Sequence, residues 1–478
     1  MLKILFASSE IHPIAATGGL GEVCASLPVA LRSFGCDCRT ITPGYRSVRD
    51  ALGPMPIIRT LRVLGWDRPI EIRRGELPSG LTVYVVDIAE LFNRPGALYA
   101  PATGADWPDN AFRFGIFSRA VAAIATNDAS ADWRPEVVHC HDWQTGLVPA
   151  LLHTEPHRPA TAFTIHNLAY LGLCDYATFR RLQLPDPLWN PDAIEFYSSG
   201  ALIKGGIRFA DAVTTVSPTY AREIQTPEFG HGLDGLLRSR AHLLNGILNG
   251  IDYRQWNPAA DRFVEPFYDA EHLSLKHTHK RELQRALSLR EQPDALLLGS
   301  VSRLTDQKGI DLAIDAFASL AGELPLQLAV LGTGEPWLHD ALHALAQAHP
   351  GRVGLRFGYD EALAHRIIAG SDALLMPSRF EPCGLTQLCS QRYGTPPIAR
   401  RIGGLADTVD DSGNGGATGF LFDASTSAAL AATIRRAYAC FRNPAAWLAR
   451  QRAGMVRDFS WSASAALYRE TYRRLLGR

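Results

Sequence analysis

The chain has 478 residues, and its 46% hydrophobic and 20% charged residues match the composition of ordinary globular proteins. At roughly 150 residues per domain, this length predicts about three small domains or two large ones. The 48 Lys and Arg residues balance the 48 Asp and Glu residues, so the net charge favours neither nucleic acid nor an anionic membrane as a partner.

The cysteines and the N-terminal segment indicate a cytoplasmic location. The 8 cysteines are scattered, with neither a Cys-x-x-Cys pair nor zinc-site spacing, which is typical of reduced thiols inside a cell. The apolar run at the N-terminus is too short for a signal peptide, and no apolar stretch is long enough to span a bilayer. We therefore expect a cytoplasmic protein without a membrane partner.

The N-terminal half alternates between short apolar runs, typical of buried strands, and segments with helical spacing. The first predicted strand, residues 2–7, leads into the Gly-rich loop 17–21 and then into a helix predicted over 22–34. Further strands are predicted at residues 82–86, 137–140, 162–165 and 213–216. This alternation predicts an α/β fold with a mostly parallel sheet.

The same alternation starts again near residue 295, which predicts a second doubly wound sheet. A helix is predicted at about 311–320, and 460–476 has helical spacing that predicts a terminal helix. The remaining predicted strands lie at residues 295–301, 327–331, 353–357, 373–376 and 397–399. We expect an N-terminal domain at 1–245, a C-terminal domain at 246–456 and the terminal helix at 457–478.

Polar residues stand where the predicted strands of the first half end, and open parallel sheets bind ligands beyond those ends. Gly18 and Gly19 can bring backbone N–H groups and a helix N-terminus close to a phosphate, although a tight turn explains them equally well. A similar Gly-Gly-Leu sequence recurs at 403–405, which indicates either two related domains or two similar loops.

Two further strand ends in the first half carry histidines. His139, His141 and Asp142 could form part of a metal site, but no further ligand cluster is evident. A carboxylate that hydrogen-bonds sugar hydroxyls, with Trp143 beside it, is the simpler hypothesis. His166 ends the next strand, so it is either a structural histidine or a member of the site.

The second half has two polar loops that point to an anionic ligand. Arg303 and Lys308 lie between a predicted strand and a helix start, where two cations and the helix dipole suit a diphosphate. Glu381 precedes another helix start and could accept sugar hydroxyls or simply cap that helix. The chain lacks an Asp-x-Asp triplet, a motif that many sugar transferases use to hold a metal, so we expect cations and helix ends to neutralise the diphosphate instead.

Taken together and in order, these motifs resemble those of the bacterial glycogen (starch) synthases, which are ADP-glucose-dependent. The similarity runs nearly from end to end, and several long motifs in the right order are far more specific than any one of them. The matching segments are Thr-Gly-Gly-Leu (17–20), His-x-His-Asp-Trp (139–143), Phe-Thr-Ile-His-Asn-Leu-Ala-Tyr (163–170), Thr-Thr-Val-Ser-Pro-Thr-Tyr-Ala-Arg-Glu-Ile (214–224), Leu-Asn-Gly-Ile-Asp (248–252), Val-Ser-Arg-Leu-Thr-x-Gln-Lys-Gly (301–309) and Arg-Phe-Glu-Pro-Cys-Gly-Leu-Thr-Gln-Leu (379–388).

The resemblance implies a GT-B fold, in which two Rossmann-like domains enclose an active-site cleft and the terminal helix crosses back to the first domain. It implies a retaining transfer of glucose from ADP-α-glucose to the end of an α-1,4-glucan such as glycogen. No metal or other cofactor is expected. Since no carboxylate is an obvious nucleophile, a front-face substitution fits better than a double displacement.

The resemblance also implies roles for individual residues. Arg303 and Lys308 would hold the diphosphate, and Glu381 would bind the donor glucose. His166 would lie beside the anomeric carbon, with Asp142 near the glucose hydroxyls. The other residues implied are the donor-binding Gly18, Gly19, Asn249, Cys383, Gly384, Leu385 and Thr386, the adenine-stacking Tyr359 and the cleft residue Tyr99.

The chain departs from the family pattern at Ala16, where these enzymes usually carry a donor-binding lysine, and at Cys389, where many carry an aromatic residue. The missing cation predicts weaker donor binding or an altered nucleotide preference. Three alternatives stay open: a related transferase using UDP-glucose or another acceptor, a nicotinamide dehydrogenase, and a catalytically silent glucan-binding protein. The absent Gly-x-Gly-x-x-Gly fingerprint argues against the dehydrogenase.

Overall fold

The computed structural model describes residues 1–101, 104–126, 133–413 and 416–478. The chain forms two compact units, of which the first comprises residues 1–249 and 461–478 and the second comprises residues 250–460. In the part of the chain that is described, no helix is both long and apolar enough to cross a membrane.

The first unit is built on a nine-stranded sheet. The strands of this unit are β1 (Leu2–Ala7), β2 (Cys36–Pro43), β3 (Ile57–Leu61), β4 (Ile70–Glu76), β5 (Thr82–Asp87), β6 (Val137–His141), β7 (Ala160–Ile165), β8 (Leu173–Cys174), β9 (Glu195–Phe196), β10 (Ser199–Ala201), β11 (Ala212–Thr215) and β12 (Leu244–Gly246). The large sheet has the order β12-β11-β7-β6-β1-β2-β5-β4-β3 and is parallel from β12 to β5, and β8, β10 and β9 form a small antiparallel sheet.

Nine α-helices of the described residues connect these strands. They are α1 (Gly19–Arg32), α2 (Arg46–Leu52), α3 (Ala89–Phe92), α4 (Asn110–Thr126), α5 (Leu147–Leu152), α6 (Tyr176–Arg181), α7 (Leu202–Phe209), α8 (Pro218–Glu223) and α9 (Asp234–Ser239). Helix α1 begins three residues before the predicted start, because the chain leaves its extended conformation at Gly18 and turns directly into the helix. Its apolar face packs Val23, Leu27 and Leu31 into the core.

The second unit contains a six-stranded parallel sheet in the order β15-β14-β13-β16-β17-β18. Its strands are β13 (Leu296–Val301), β14 (Leu326–Gly332), β15 (Val353–Phe357), β16 (Ala373–Met376), β17 (Pro397–Arg400) and β18 (Phe420–Phe422). Its helices are α10 (Lys276–Ala286), α11 (Ile310–Leu320), α12 (Pro336–Ala348), α13 (Glu361–Gly370), α14 (Thr386–Arg392), α15 (Gly403–Thr408), α16 (Ser427–Phe441) and α17 (Pro444–Met455). All of β14 is buried, as expected for a parallel strand with helices on both faces.

The last helix, α18 (Trp461–Leu475), belongs to the first unit. Its buried side chains Trp461, Ala465, Tyr468 and Tyr472 join the same hydrophobic cluster as Phe6 of β1. The Tyr472 hydroxyl lies 2.8 Å from Nδ1 of His139, which ties the end of the chain to β6. The C-terminal segment therefore completes the core of the N-terminal sheet.

Each large sheet has a point where the strand order reverses, and this point positions the candidate site. In the second unit, β13 lies between β14 and β16, which is the strand order of the Rossmann fold. In the first unit, β1 lies between β2 and β6. Loops that follow the two diverging strands separate there and leave a crevice for a ligand.

Candidate active site

In the first unit, Asp142 and His166 meet at the carboxyl ends of β6 and β7. The two strands are parallel neighbours, and the Asp142 N–H continues their pairing by donating to the Thr164 carbonyl at 3.0 Å. Oδ1 of Asp142 accepts from the His166 N–H at 2.7 Å and from the Asn167 N–H at 3.4 Å. The backbone of Asp142 is left-handed, with φ of 57°, so the chain turns sharply where the strand ends. The Asp142 carboxylate thus anchors the loop that carries His166.

Burial governs the protonation of both residues. It raises the pKa of Asp142 from 3.8 to about 7, against the opposing effect of the two backbone N–H donors. It lowers the pKa of His166 to about 3, so the imidazole is neutral at neutral pH. Since the unfolded chain ionises Asp142 more readily, this carboxyl makes folding less favourable as pH rises from about 4 to about 7.

His139 has a structural role. Its Nε2 lies 2.6 Å from Oγ1 of Thr164, and its Nδ1 lies 2.8 Å from the Tyr472 hydroxyl, so both ring nitrogens are engaged inside the core. Burial lowers the pKa of His139 to about 3. Among the residues that the structure describes, no group of three or more His, Cys, Asp or Glu side chains is placed to hold a metal ion.

Glu10 organises the Gly-rich loop, a role that the sequence did not predict. The side chain is buried at the end of β1, where Oε2 accepts from the Thr17 N–H at 2.7 Å and Oε1 accepts from the Thr17 hydroxyl at 2.7 Å. The Tyr99 hydroxyl also donates to Oε1 at 2.7 Å and lies 2.8 Å from Oγ of Ser9. Tyr99 therefore supports this loop through Glu10. A carboxylate in the polar segment Ser8-Ser9-Glu10, which follows the first predicted strand, was the signal that could have identified it.

The loop itself is open to solvent. Ala16, Gly18 and Gly19 are exposed, and α1 starts without a side-chain cap at Gly18. The first N–H groups of an uncapped helix have no intrahelical partners, so they can bind an anion. Gly21 lies close beneath Ala16, since a Cβ added there would come within 2.6 Å of the Ala16 Cβ.

In the second unit, Lys308 and Glu381 form an ion pair where the strand order reverses. Lys308 follows β13 and Glu381 follows β16, and Nζ of the lysine lies 2.6 Å from Oε2 of the glutamate. The Ser378 hydroxyl also donates to Oε2 at 2.9 Å, and Glu381 is 5% exposed. The alternative that Glu381 caps the next helix is wrong, because Leu385 precedes α14 and no side chain caps it.

The loops after β13 and β16 are joined by further hydrogen bonds around Gln307. Its carbonyl accepts from the Arg379 N–H at 2.8 Å, and its side-chain amide donates to the Phe380 carbonyl at 3.2 Å. Arg379 in turn forms two hydrogen bonds to the carboxylate of Asp311, at 2.9 and 2.6 Å. Arg303 is exposed at this edge and lies 3.4 Å from Oε1 of Gln307. Both predicted diphosphate-binding cations therefore lie at the carboxyl edge of the sheet.

The second Gly-Gly-Leu segment supports the turn that contains Glu381. The Gly404 N–H donates to the Glu381 carbonyl at 3.1 Å. A Cβ at Gly404 would lie 2.1 Å from the Cys383 carbonyl oxygen, and one at Gly403 would lie 1.9 Å from that of Glu381. Only glycine allows the backbone at 403–404 to lie this close to the two carbonyl oxygens. The glycines of this second segment therefore serve close backbone packing.

The remaining predicted residues are found in both units. Gly384 has φ of 71° in the turn before α14, and Leu385 and Thr386 begin that helix. Tyr359 is 86% exposed after β15. Asn249 ends the first unit and is buried, and its Oδ1 has no hydrogen-bond partner within the described residues. Cys383 is buried beside Glu381, and Cys389 is buried within α14.

Comparison with known proteins defines the class to which this fold and site belong. A family model described as the starch synthase catalytic domain matches residues 3–239, and one described as glycosyl transferases group 1 matches residues 281–450. The catalytic domain of starch synthase IV from Arabidopsis thaliana, solved with ADP and acarbose, superposes with a TM-score of 0.90 at 32% identity, covering 100% of this chain and 99% of that one. The chain is a glycosyltransferase with the GT-B fold, which confirms the predicted fold class.

Curated relatives identify the family within this class. Glycogen synthase 2 from Nitrosococcus oceani is 48% identical over 100% of this chain and 98% of the relative. Glycogen synthase from Thioalkalivibrio sulfidiphilus is 47% identical over 99% of this chain and 100% of the relative. The chain belongs to the family of bacterial glycogen synthases, as its motifs predicted, and it is a glucosyltransferase.

Proposed function

We propose that this glucosyltransferase moves glucose from ADP-α-glucose to the non-reducing end of an α-1,4-glucan, retains the α configuration and releases ADP. The observation that carries the proposal is the pairing of Lys308 with Glu381 at the reversal point of the second sheet. The family membership and the ADP bound in the Arabidopsis relative support the choice of nucleotide.

Lys308 and Arg303 would stabilise the diphosphate as it departs. Negative charge on the leaving phosphate grows while its bond to the anomeric carbon breaks, and fixed cations lower the energy of that transition state. The pairing with Glu381 holds Lys308 in place before the donor binds. No metal ion takes part in this proposal.

Glu381 would bind the donor glucose together with the backbone of the turn that follows it. Its second carboxylate oxygen can accept a sugar hydroxyl while Oε2 stays paired with Lys308 and Ser378. Residues Cys383, Gly384, Leu385 and Thr386 would supply N–H groups to the same sugar. Tyr359, exposed at the same edge of the sheet, would stack on the adenine.

Hydrogen bonds hold the described carboxylates near the strand ends, and this favours a front-face substitution over attack by a carboxylate on the anomeric carbon. Oδ1 of Asp142 is held by backbone N–H groups, and Glu10 and Glu381 are each held by several donors. In the proposed step, the acceptor hydroxyl oxygen bonds to the anomeric carbon on the face from which the diphosphate leaves. The breaking bond leaves its electron pair on ADP, and the hydroxyl proton passes to a phosphate oxygen.

A direct comparison of donors tests this proposal. The purified enzyme is given glycogen with either ADP-glucose or UDP-glucose, and release of ADP or UDP is followed alongside incorporation of labelled glucose. We expect much faster transfer from ADP-glucose, with new α-1,4 linkages visible by NMR of the product. Faster transfer from UDP-glucose, a β linkage, or a glucosyl ester trapped on an Asp or Glu would contradict the proposal.

Ala16 offers a second prediction about the donor. The Ala16→Lys variant adds a cation at the exposed end of the Gly-rich loop, where family members usually carry one. A charge-assisted contact contributes about 1.5–3 kcal/mol, so we expect KM for ADP-glucose to fall by about tenfold or more. Ala16→Met, of similar length but uncharged, is the matched control and should leave KM unchanged. Equal KM values for both variants and the parent, with unchanged donor preference, would refute a role for this position.

A further inference from the structure

His141 is a buried histidine beside His166, and the proposed function assigns no role to His141. It is the last residue of β6, and Nδ1 of its ring lies 2.9 Å from Nε2 of His166. The His141 ring stacks on Phe6, with ring centroids 5.7 Å apart and an interplanar angle of 18°. Its centroid lies 4.1 Å from the ring centroid of His139. These contacts hold His141 in one orientation toward His166.

One proton lies in the hydrogen bond between Nδ1 of His141 and Nε2 of His166. The surroundings of His141 decide which of the two nitrogens carries it. Burial lowers the pKa of both rings, so each is neutral and carries one N–H. If His166 donated from Nε2, the proton of His141 would lie on its own Nε2. That nitrogen is buried and has no hydrogen-bond partner within the described residues. A buried N–H without a partner costs about 1–3 kcal/mol, whereas a bare lone pair is better tolerated.

We infer that His141 is a positioning residue whose Nδ1–H donates to Nε2 of His166 and thereby places the proton of His166 on Nδ1. The inference rests on the proposed function in assigning His166 to the donor site. With this tautomer, His166 offers an N–H donor to a sugar or phosphate oxygen and cannot accept the proton of the attacking hydroxyl. Its ring nitrogen Nε2 is used by His141, and its backbone N–H is used by Asp142.

Two successive residues at the carboxyl end of β6 support His166 together. His141 fixes the side chain of His166, and Asp142 fixes its backbone. The two contacts restrain both the position and the ring orientation of His166, which is the kind of support that a group contacting a transition state requires.

Nitrogen-15 NMR of histidine-labelled enzyme at neutral pH tests the inference without relying on activity. Protonated and unprotonated ring nitrogens have distinct shifts, and the His166 signals are assigned by their absence from a His166→Gln variant. We expect the proton of His166 on Nδ1 in the parent enzyme. A proton on Nε2 would overturn the inference, even if glucose transfer proceeds as proposed.

Two variants of His141 separate positioning from a merely structural role. His141→Leu removes the donor, so His166 should populate both tautomers and kcat should fall by about tenfold, which corresponds to about 1.4 kcal/mol. His141→Asn offers an amide N–H near the position of Nδ1, and it should restore the Nδ1–H tautomer and most of kcat. Equal loss in both variants with an unchanged tautomer of His166, or no loss in either, would contradict the inference. Failure of the parent to use ADP-glucose would instead contradict the proposed function.

Discussion

The Lys308→Met variant should lower kcat/KM for ADP-glucose by about 10²–10³, the loss expected when one preorganised group that stabilises developing charge is removed. Lys308 is the cation that touches Glu381, with 2.6 Å between Nζ and Oε2. Its removal takes positive charge away from the departing diphosphate and leaves the buried Glu381 without its counter-ion. Initial rates of ADP release with glycogen as acceptor measure the effect.

Lys280 provides a matched control for Lys308. It is also a lysine of the second unit that pairs with a carboxylate, and its Nζ lies 2.7 Å from Oδ2 of Asp372. Lys280 lies within α10 and not in the loops after β13 and β16 that form the candidate site. Each substitution leaves a largely buried carboxylate without its cation, so both Lys308→Met and Lys280→Met should lower the free energy of unfolding. Only the Lys308 variant should lose activity per folded molecule, and equal losses of activity would contradict the role of Lys308 in transfer.

Gly404→Ala should lower kcat by about 10², which is the scale expected when a catalytic group is misplaced by about 1 Å. The added Cβ would lie 2.1 Å from the Cys383 carbonyl oxygen, so the turn that contains Glu381 must move. The Gly404 N–H also donates to the Glu381 carbonyl, so the displacement shifts the backbone that carries the carboxylate. Steady-state kinetics with ADP-glucose, together with thermal unfolding, would separate misplacement from loss of fold.

Gly322→Ala is the control for this second substitution. A Cβ at Gly322 would meet no atom within 4 Å, so the variant should keep the activity of the parent enzyme. Replacing a glycine without strain reduces the entropy of the unfolded chain, and its stability should stay equal or rise slightly. If Gly404→Ala were as active as Gly322→Ala, the close packing of α15 on the Glu381 turn would have no bearing on catalysis.

Much of the fold was predictable because parallel strands are buried on both faces. The strands at 353–357 and 373–376 match the predicted limits, and a charged residue precedes each strand while Gly358 or Pro377 follows it. The polar loops after those runs then had to lie at the carboxyl edge of a sheet. Arg303 and Lys308 accordingly follow β13, and Glu381 follows β16.

Roles that depend on a partner distant in the chain were harder to predict. The sequence did not predict that Oδ1 of Asp142 accepts from the backbone N–H of His166, 24 residues further on, and the expected place of Asp142 near the glucose hydroxyls stays a prediction. Glu10 was missed because a lone carboxylate after a strand gives no sign of Tyr99, which is 89 residues away. The second Gly-Gly pair resembled the first Gly-rich loop in sequence, and its glycines are needed for packing against Glu381 and Cys383.

The sequence by itself determined where most of the parallel strands lie, which polar residues stand at their ends and which family the motifs resemble, because burial and turn chemistry act between near neighbours. Only the tertiary structure decided that Lys308 meets Glu381, that Glu10 holds Thr17 and Tyr99, and that His141 contacts His166. These pairs form because parallel sheet order brings the ends of distant strands together, and hydrogen bonds need donor and acceptor within about 3 Å of each other.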